Sequence, residues 1–400
     1  IDAPIFTAAT TSGSATVTGI SSTASLKEGM AVSSSTTSVI PDGTTIASID
    51  SSTQITLSAN ATATNGSAPL TFNATIDFLG ETKEGIWIAK EYLGPYGTNG
   101  FRLDFSDSTT AAGQSTVTYR GNGGTQVIQG VGFSPDLVWI KARTDNSQSH
   151  YLFDTLRGAD KALFSDQSDA ETDYTSTGRM TSFNPDGFTV KFSSSTGTNS
   201  SSHNYVAWTW EAGGTPTAAN SAGAGATPTA GSVKIDGSNL GSALEGTIPA
   251  TKLSANTTYG FSIVTYTGTG STGTIAHGLG AVPKWIIVKR TSSSQSWLVY
   301  HAGMNEGTTP EDFFMKLNVQ DDESNDNTAW NDTAPTSDVF TVGTSSGTNT
   351  LNETYVAYCW CEKTALSKFG NYTGNGSSGH AITTGFAPAW LMVKRADVDN

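Results

Sequence analysis

The sequence has few charged residues, and its Lys and Arg residues form no cluster. Asp, Glu, Lys and Arg make up 14% of its 400 residues, against about 25% in an average soluble protein. The formal net charge is −14, and the acidic residues are dispersed along the chain. Binding to a nucleic-acid phosphate backbone needs clustered Lys and Arg, so we expect no nucleic-acid partner.

Long apolar runs and cysteines are also scarce. No stretch approaches the roughly 18 apolar residues of a membrane-spanning helix, so we expect no membrane insertion. The two cysteines, Cys359 and Cys361, stand two positions apart on a predicted strand. Side chains at that spacing point the same way and are poorly placed for a disulfide. We expect both to pack as small apolar side chains, with redox or metal chemistry as the alternative.

Recognisable catalytic motifs are missing as well. The five histidines share no motif, and the chain contains no GxSxG, HExxH or P-loop sequence. Glycoside hydrolysis would need two carboxylates facing each other across a cleft, and no motif identifies such a pair. We therefore expect that the protein is not an enzyme and that it needs no cofactor, apart from the Ca²⁺ considered below.

The sequence does contain an internal repeat. Three stretches, here termed the Pro-to-Lys segments, place apolar residues between a proline and a lysine at one spacing: GFSPDLVWIKAR at 132–143, GLGAVPKWIIVKR at 278–290 and GFAPAWLMVKR at 385–395. A glycine-marked turn precedes each of them: YRGNGG from Tyr119, YTGTGS from Tyr266 and YTGNGS from Tyr372. Self-similarity of this kind is typical of tandem domains.

A second shared stretch, the closing block, completes only two of the three copies. It is GTNSSSHNYVAWTWE from Gly197 and GTNTLNETYVAYCWCE from Gly347. No counterpart follows residue 395, so the third copy has only begun and we expect the natural chain to continue past Asn400. Between the first two copies lies GGTPTAANSAGAGATPTAG, from Gly213, whose low complexity is typical of a linker.

The repeat and the linker predict a division of the chain into six segments. These are an N-terminal β module at 1–75, a β connector at 76–115, the first repeat at 116–214, a Gly/Ala/Thr/Pro linker and insertion at 215–258, the second repeat at 259–363 and the start of a third repeat at 364–400.

Alternating apolar positions predict an all-β fold. In the first closing block Val206, Trp208 and Trp210 fall on one face of a strand. Both faces of the Pro-to-Lys segments are apolar, which predicts central strands covered on both sides, as in a two-sheet sandwich with outer loops. At most one short helical turn is expected, near 310–317. The fold class is therefore several small β domains in series, with tandem β-sandwich repeats of a jelly-roll or lectin-like type after a small N-terminal β module.

The order of turn, Pro-to-Lys segment and YVAW or YVAY strand over 116–400 resembles the tandem β domain of tail fibres and related structural proteins of marine bacteriophages, cyanophages among them. The pieces EGMAV, IPDGTTIASI and ITLSANAT are similar to a small β module of phage virion proteins. The resemblance implies an elongated virion component exposed on the tail, a homotrimer as such fibres tend to be. It would attach to other tail proteins and extend toward the host cell. Two alternatives stay open: an adhesin, or receptor-binding protein, for a host surface glycan, and a tailspike-type polysaccharide depolymerase.

Two sets of residues are candidate sites. Trp297 and Trp330 lie in polar, loop-like surroundings and could stack on a sugar ring, although a place in the core is the alternative for both. Acidic residues cluster at similar places in both complete copies and could supply oxygen ligands to Ca²⁺, or simply form a solvated acidic loop. They are Asp166, Asp169, Glu171 and Asp173 in the first copy and Asp321, Asp322, Glu323 and Asp326 in the second.

Overall fold

The computed structural model describes residues 4–36, 38–73, 81–83, 86–88, 113–192 and 197–397. The predicted all-β class is confirmed, since strands account for 39% of the protein and helices for only 3%. No helix in the described ranges is long and apolar enough to cross a membrane. The chain divides into two compact units, Ile1–Asp107 and Ser108–Asn400, and each is described separately.

The first unit contains a small closed β-barrel. Its strands are β1 (Ile5–Thr10), β2 (Thr16–Thr18), β3 (Ala31–Ser34), β4 (Ile46–Ser51), β5 (Gln54–Leu57) and β6 (Asn65–Asn73), in the order β3-β6-β1-β2-β5-β4. A bridge between Ala31 and Thr45 joins the two outer edges of the sheet. Inward-facing apolar side chains such as Val17, Ile55 and Phe72 are completely buried, so the barrel has its own core.

A short hairpin follows, formed by β7 (Glu81–Lys83) and β8 (Ile86–Ile88). The remainder of the predicted connector, up to residue 112, lies outside the described residues.

The first repeat is a sandwich of a six-stranded and a three-stranded sheet. Its strands are β9 (Gln114–Arg120), β10 (Thr125–Gln129), β11 (Leu137–Ala142), β12 (Tyr151–Asp154), β13 (Gly158–Phe164), β14 (Thr172–Asp173), β15 (Met180–Asn184), β16 (Gly187–Lys191) and β17 (Asn204–Trp210). The large sheet has the order β14-β13-β12-β11-β17-β9 and the small one β10-β16-β15. Val138 and Ile140 of β11 point into this sandwich, whereas Leu137 and Trp139 point out of its opposite face.

The second repeat has the same arrangement with additions. Its strands are β18 (Val233–Ile235), β19 (Ser238–Asn239), β20 (Ala250–Asn256), β21 (Phe261–Thr267), β22 (Gly273–Ala276), β23 (Pro283–Arg290), β24 (Leu298–His301), β25 (Phe313–Lys316), β26 (Ser324–Asn325), β27 (Val339–Val342) and β28 (Thr354–Cys361). The large sheet has the order β19-β18-β20-β21-β28-β23-β24-β25-β26, and β22 pairs with β27 in the small sheet. From β21 to β26 this order repeats that of the first large sheet, from β9 to β14.

Helical structure in the described residues is confined to single turns in the second repeat. They are the 3₁₀ turns Met304–Gly307 and Pro310–Asp312 and the helix α1 (Asn327–Trp330). The helical turn expected near 310–317 is the 3₁₀ turn Pro310–Asp312, and β25 begins at the next residue.

The segment predicted as a linker and insertion, 215–258, contains strands in its second half. β20 pairs antiparallel with β21 and parallel with β18, so residues 233–256 extend the large sheet of the second repeat. Residues 215–231 form no strand, as expected of a linker. They are nevertheless attached to the sheet, because the backbone N–H of Asn220 donates to the carbonyl of Thr251 in β20 at 2.7 Å.

The large sheets of the two repeats pack against each other. Leu137 and Trp139 of the first repeat share one apolar core with Ile287 of the second, and the rings of Trp210 and Trp360 meet edge to face at 5.9 Å. β11 and β23 are central strands with both faces covered, as predicted. Their second face is covered by the neighbouring repeat rather than by loops.

The glycine-marked turn and the closing block are held together in both complete repeats. Tyr266 stacks on Tyr355 at 5.2 Å, and the first repeat places Tyr119 on Tyr205 in the same way at 5.0 Å. A Cβ atom on Gly268 would lie 2.2 Å from the carbonyl oxygen of Thr350, and one on Gly121 would lie 2.1 Å from that of Ser200. The Tyr-x-Gly pattern therefore reflects a close backbone approach.

The expected opening strand of a third repeat is not formed. Residues 388–396 have no strand assignment, although Trp390 packs on Trp285 with ring centroids 6.1 Å apart. A central strand needs hydrogen-bonding neighbours, and no closing block pairs with this segment among the described residues.

Candidate functional site

The contact between the two repeats, here the first joint, is the most elaborate polar site in the described part of the chain. The buried ammonium of Lys289, which ends the second Pro-to-Lys segment, donates to the carbonyl of Ser168 at 3.2 Å. The backbone N–H of Glu171 donates to the carbonyl of Thr291 at 2.9 Å. These bonds connect β23 and its following loop to the loop between β13 and β14 of the first repeat.

The same two bonds recur at the second joint, between the second repeat and residues 388–396. Lys394, the equivalent of Lys289, donates to the carbonyl of Val319 at 3.0 Å. The backbone N–H of Glu323 donates to the carbonyl of Ala396 at 2.9 Å. Val319 and Glu323 follow β25 as Ser168 and Glu171 follow β13. The third Pro-to-Lys segment is therefore attached to the second repeat as the second is attached to the first.

A buried ion-pair network adds to the first joint alone. Asp154, which is completely buried, accepts a hydrogen bond from the Tyr358 hydroxyl at 2.7 Å across the joint. It also accepts one from Nε of Arg157 at 2.6 Å, and Arg157 pairs with Glu171 at 3.1 Å. Buried charges are tolerated where such partners satisfy them, and separating the two repeats would take the Tyr358 hydroxyl away from this network.

Electrostatics keep Arg157 and Tyr358 each in one protonation state. Burial alone would lower the pKa of Arg157, but Asp154, Tyr358 and Glu171 raise it and the net shift is upward. Burial raises the pKa of Tyr358 well above its ordinary value. Near neutral pH the guanidinium is charged and the phenol remains a hydrogen-bond donor.

Two other buried titratable groups have shifted pKa values. Burial lowers the pKa of Lys289 to about 8, and the neighbouring positive charge of Arg290 acts in the same direction. Burial lowers the pKa of His277 to about 4. Its Nδ1 accepts from the backbone N–H of Leu279 at 3.2 Å, so Nε2 carries the proton and donates to the carbonyl of Thr336 at 3.2 Å.

Both tryptophans predicted to stack on sugar are in the core. Trp297 is 0% and Trp330 2% exposed, so neither offers a ring face to a ligand, and the stacking prediction is wrong for both. Trp297 is part of the first joint, because its indole N–H donates to the carbonyls of Phe164 at 2.8 Å and Gln167 at 3.0 Å. The space beside Trp330 is too narrow to admit a water molecule, so it is not a ligand pocket.

The acidic residues of the first copy have separate structural roles. Glu171 and Asp173 pair with Lys161 at 3.2 and 3.4 Å. Asp166 accepts from the backbone N–H of His150 at 3.0 Å, and the charge of Asp169 acts to raise the pKa of Lys289.

Those of the second copy are also used locally. Asp321 pairs with Lys316 at 2.8 Å. Glu323 accepts from the backbone N–H of Asn305, and Asp326 caps α1. Asp322 is partly exposed. Among the described residues no group of three or more His, Cys, Asp or Glu side chains is arranged to hold a metal ion, so the structure gives the Ca²⁺ prediction no support.

Sequence reasoning missed Asp154, Arg157, Tyr358 and the role of the motif lysines. A signal was present, because Asp154 ends the apolar stretch YLFD and Lys289 ends the apolar segment WIIVK. A charged residue that continues an apolar strand pattern indicates a buried, partnered charge. Both cysteines are buried and free, and burial raises the pKa of each thiol.

Comparison with protein families identifies the repeated unit. The model of a domain of unknown function, DUF7483, matches residues 111–237 and again residues 232–400. These matches cover most of the chain, so the chain belongs to this family and carries two matches to it in tandem. The second match begins at β18, in agreement with the extended sheet. Comparison with curated proteins and with solved structures gave no match.

Proposed function

We propose that this protein is a structural component of a bacteriophage virion, a tail fibre or fibre-like appendage that attaches to the tail and extends toward the host cell. The recurrence of the same two hydrogen bonds at the first and second joints carries the proposal. A joint that repeats from copy to copy sets each domain on the preceding one in a similar way and so builds a linear array.

The chemistry of the joints suits a mechanical role. The first joint combines a continuous apolar core with the buried Asp154, Arg157 and Tyr358 network, and opening it would expose both. Successive sandwiches joined in this way resist bending more than domains on flexible linkers do. The low content of charged residues, 14%, is compatible with a long-lived exposed shaft.

Within this proposal the partners are other tail proteins and two further copies of the chain in a homotrimer. The glycan-binding alternative loses the residues that supported it, because Trp297 and Trp330 are buried.

Electron microscopy of labelled particles tests the proposal. Antibodies against residues 113–397, bound to purified phage particles that carry the protein, should label the tail or a projection from it. Label only after capsid disruption would refute the assignment. The mass of the native assembly in solution tests the homotrimer independently, and a monomer would remove that part of the proposal.

A further inference from the structure

The motif lysine of the first repeat has a different environment from its equivalents in the other copies. Lys289 and Lys394 each donate to a carbonyl of the preceding repeat. Lys141 donates instead to the carbonyl of Gln148 in its own repeat, and it forms no hydrogen bond to another repeat within the described ranges. The surface that the second repeat uses to contact the first is thus still open on the first repeat.

The side chains beside Lys141 show the same difference. Val206 lies opposite Lys141 in the strand ladder, and Trp208 follows on the same face of β17. Both are half-buried, whereas their equivalents in the second repeat, Val356 and Tyr358, are 0% exposed. We call Lys141, Val206 and Trp208 the open joint surface.

The third copy lies next to the first as well as the second. Trp390 contacts Trp285 of the second repeat with ring centroids 6.1 Å apart, and it meets Trp210 of the first repeat edge to face at 5.4 Å. All three indoles pack in one apolar core. In a straight array the third member would lie away from the first, so the two joints turn the copies around a shared axis.

The two surfaces of each joint allow such a turn to close. One member contributes its motif lysine, and the other contributes the loop that follows β13 or β25. Head-to-tail contacts of this kind form a ring when their rotations add up to a full turn, and a filament when they do not. Because two joints bring the third copy back against the first, a third joint of the same kind completes a ring.

We propose that three successive repeats form a closed ring and that the open joint surface is the docking site for the third repeat of the same chain. Lys141 then donates to a backbone carbonyl in the loop of the third repeat that corresponds to 165–171 and 317–323. That repeat covers Trp208 as the first repeat covers Tyr358. The copies keep the linear order of the proposed array, but the array turns around one axis. The inference does not depend on the assignment as a fibre.

Fluorine NMR of the chain labelled with fluorotryptophan tests the turn. The substitution Trp390→Leu should shift the resonances of both Trp210 and Trp285, because the ring of Trp390 lies against both. In a straight array only Trp285 would respond. Trp297, whose indole N–H donates to Phe164 and Gln167, is the control and should not shift.

Lysine acetylation of the native protein, read by mass spectrometry, tests the closure. The chain that ends at Asn400 is compared with the natural chain that continues through a third closing block. Lys141 should react at least about tenfold more slowly in the longer chain, because the third joint must open before the ammonium can react. Lys161, in the same repeat and 38% exposed at its side chain, should react at the same rate in both chains.

Three results would overturn the proposal. They are equal reactivity of Lys141 in the two chains, a Trp210 resonance that Trp390→Leu leaves in place, and a natural chain without a third closing block. Protection of Lys141 that increases with protein concentration would make a second copy the occupant and equally reject closure within one chain. Because acetylation is measured without any substitution, the test of closure does not rely on how well a variant folds.

Discussion

Replacing Tyr358 by Phe removes one hydroxyl from the centre of the first joint. That hydroxyl donates to the buried carboxylate of Asp154 at 2.7 Å, and hydrogen bonds to charged groups contribute about 1.5–3 kcal/mol. Asp154 keeps the side chain of Arg157 and two backbone N–H donors, so the carboxylate is not left unpaired. We therefore expect Tyr358→Phe to lower the free energy of unfolding by about 2 kcal/mol.

Urea denaturation followed by tryptophan fluorescence measures this loss, because all nine tryptophans except Trp87 lie after residue 108. Amide exchange of residues 152–158 should also accelerate, since the joint that covers this turn is weakened. Tyr355→Phe is the matched control. Its hydroxyl is also hydrogen-bonded, but only to Thr350 and Ser346 of its own repeat, so exchange at 152–158 should not change.

A double-mutant cycle of Tyr358→Phe with Asp154→Asn separates the contact from general loss of packing. Residues in direct contact should be coupled by 0.5 kcal/mol or more. A loss of stability below about 0.5 kcal/mol for Tyr358→Phe, or an equal acceleration of exchange in Tyr355→Phe, would refute the assignment of this bond to the joint.

Three further predictions concern other buried groups. The pKa of His277 is about 4 in the folded protein and about 6.5 in the unfolded chain. As the pH falls, the unfolded chain therefore binds the proton first, and about 3 kcal/mol of stability should be lost between pH 6.5 and pH 4. In urea titrations His277→Gln should remove this pH dependence. The pKa of Lys289 is about 8 when folded and about 10.4 when unfolded, so stability should rise as the pH increases through this window, and Lys289→Met should abolish the rise. Gly268→Ala should cost about 2 kcal/mol or more through its clash with the backbone of Thr350, whereas Gly374→Ala, which meets nothing within 4 Å, should leave the melting temperature unchanged.

Two strands of each complete repeat, the Pro-to-Lys strand and the closing-block strand, were predicted from the sequence because each is specified locally. The closing block, with its period of two, occurs twice and the apolar Pro-to-Lys segment three times, and comparing the copies removes the ambiguity of a single pattern. The Tyr-x-Gly positions of the glycine-marked turns were likewise visible in the sequence, because the pattern recurs in each copy.

The sequence did not predict the joint, because the partners there lie far apart in the chain. Trp297 stands among polar residues, SQSWLVYH, and local polarity favoured exposure. Its burial arises because the first repeat covers it and the carbonyls of Phe164 and Gln167 satisfy its indole N–H. For the same reason the sequence did not show that β18 and β20 belong to the large sheet of the second repeat.

The two kinds of contact at the joints have different consequences. The recurring bonds use backbone groups on one side, the carbonyls of Ser168 and Val319, so they constrain only the motif lysine and tolerate sequence change elsewhere. The ion-pair network is specific to the first joint, because β strand pairing places His301 in the second repeat where the first has Asp154. The backbone bonds are thus common to both joints, whereas the hydrogen bond from Tyr358 to Asp154 adds a side-chain contact to the first joint.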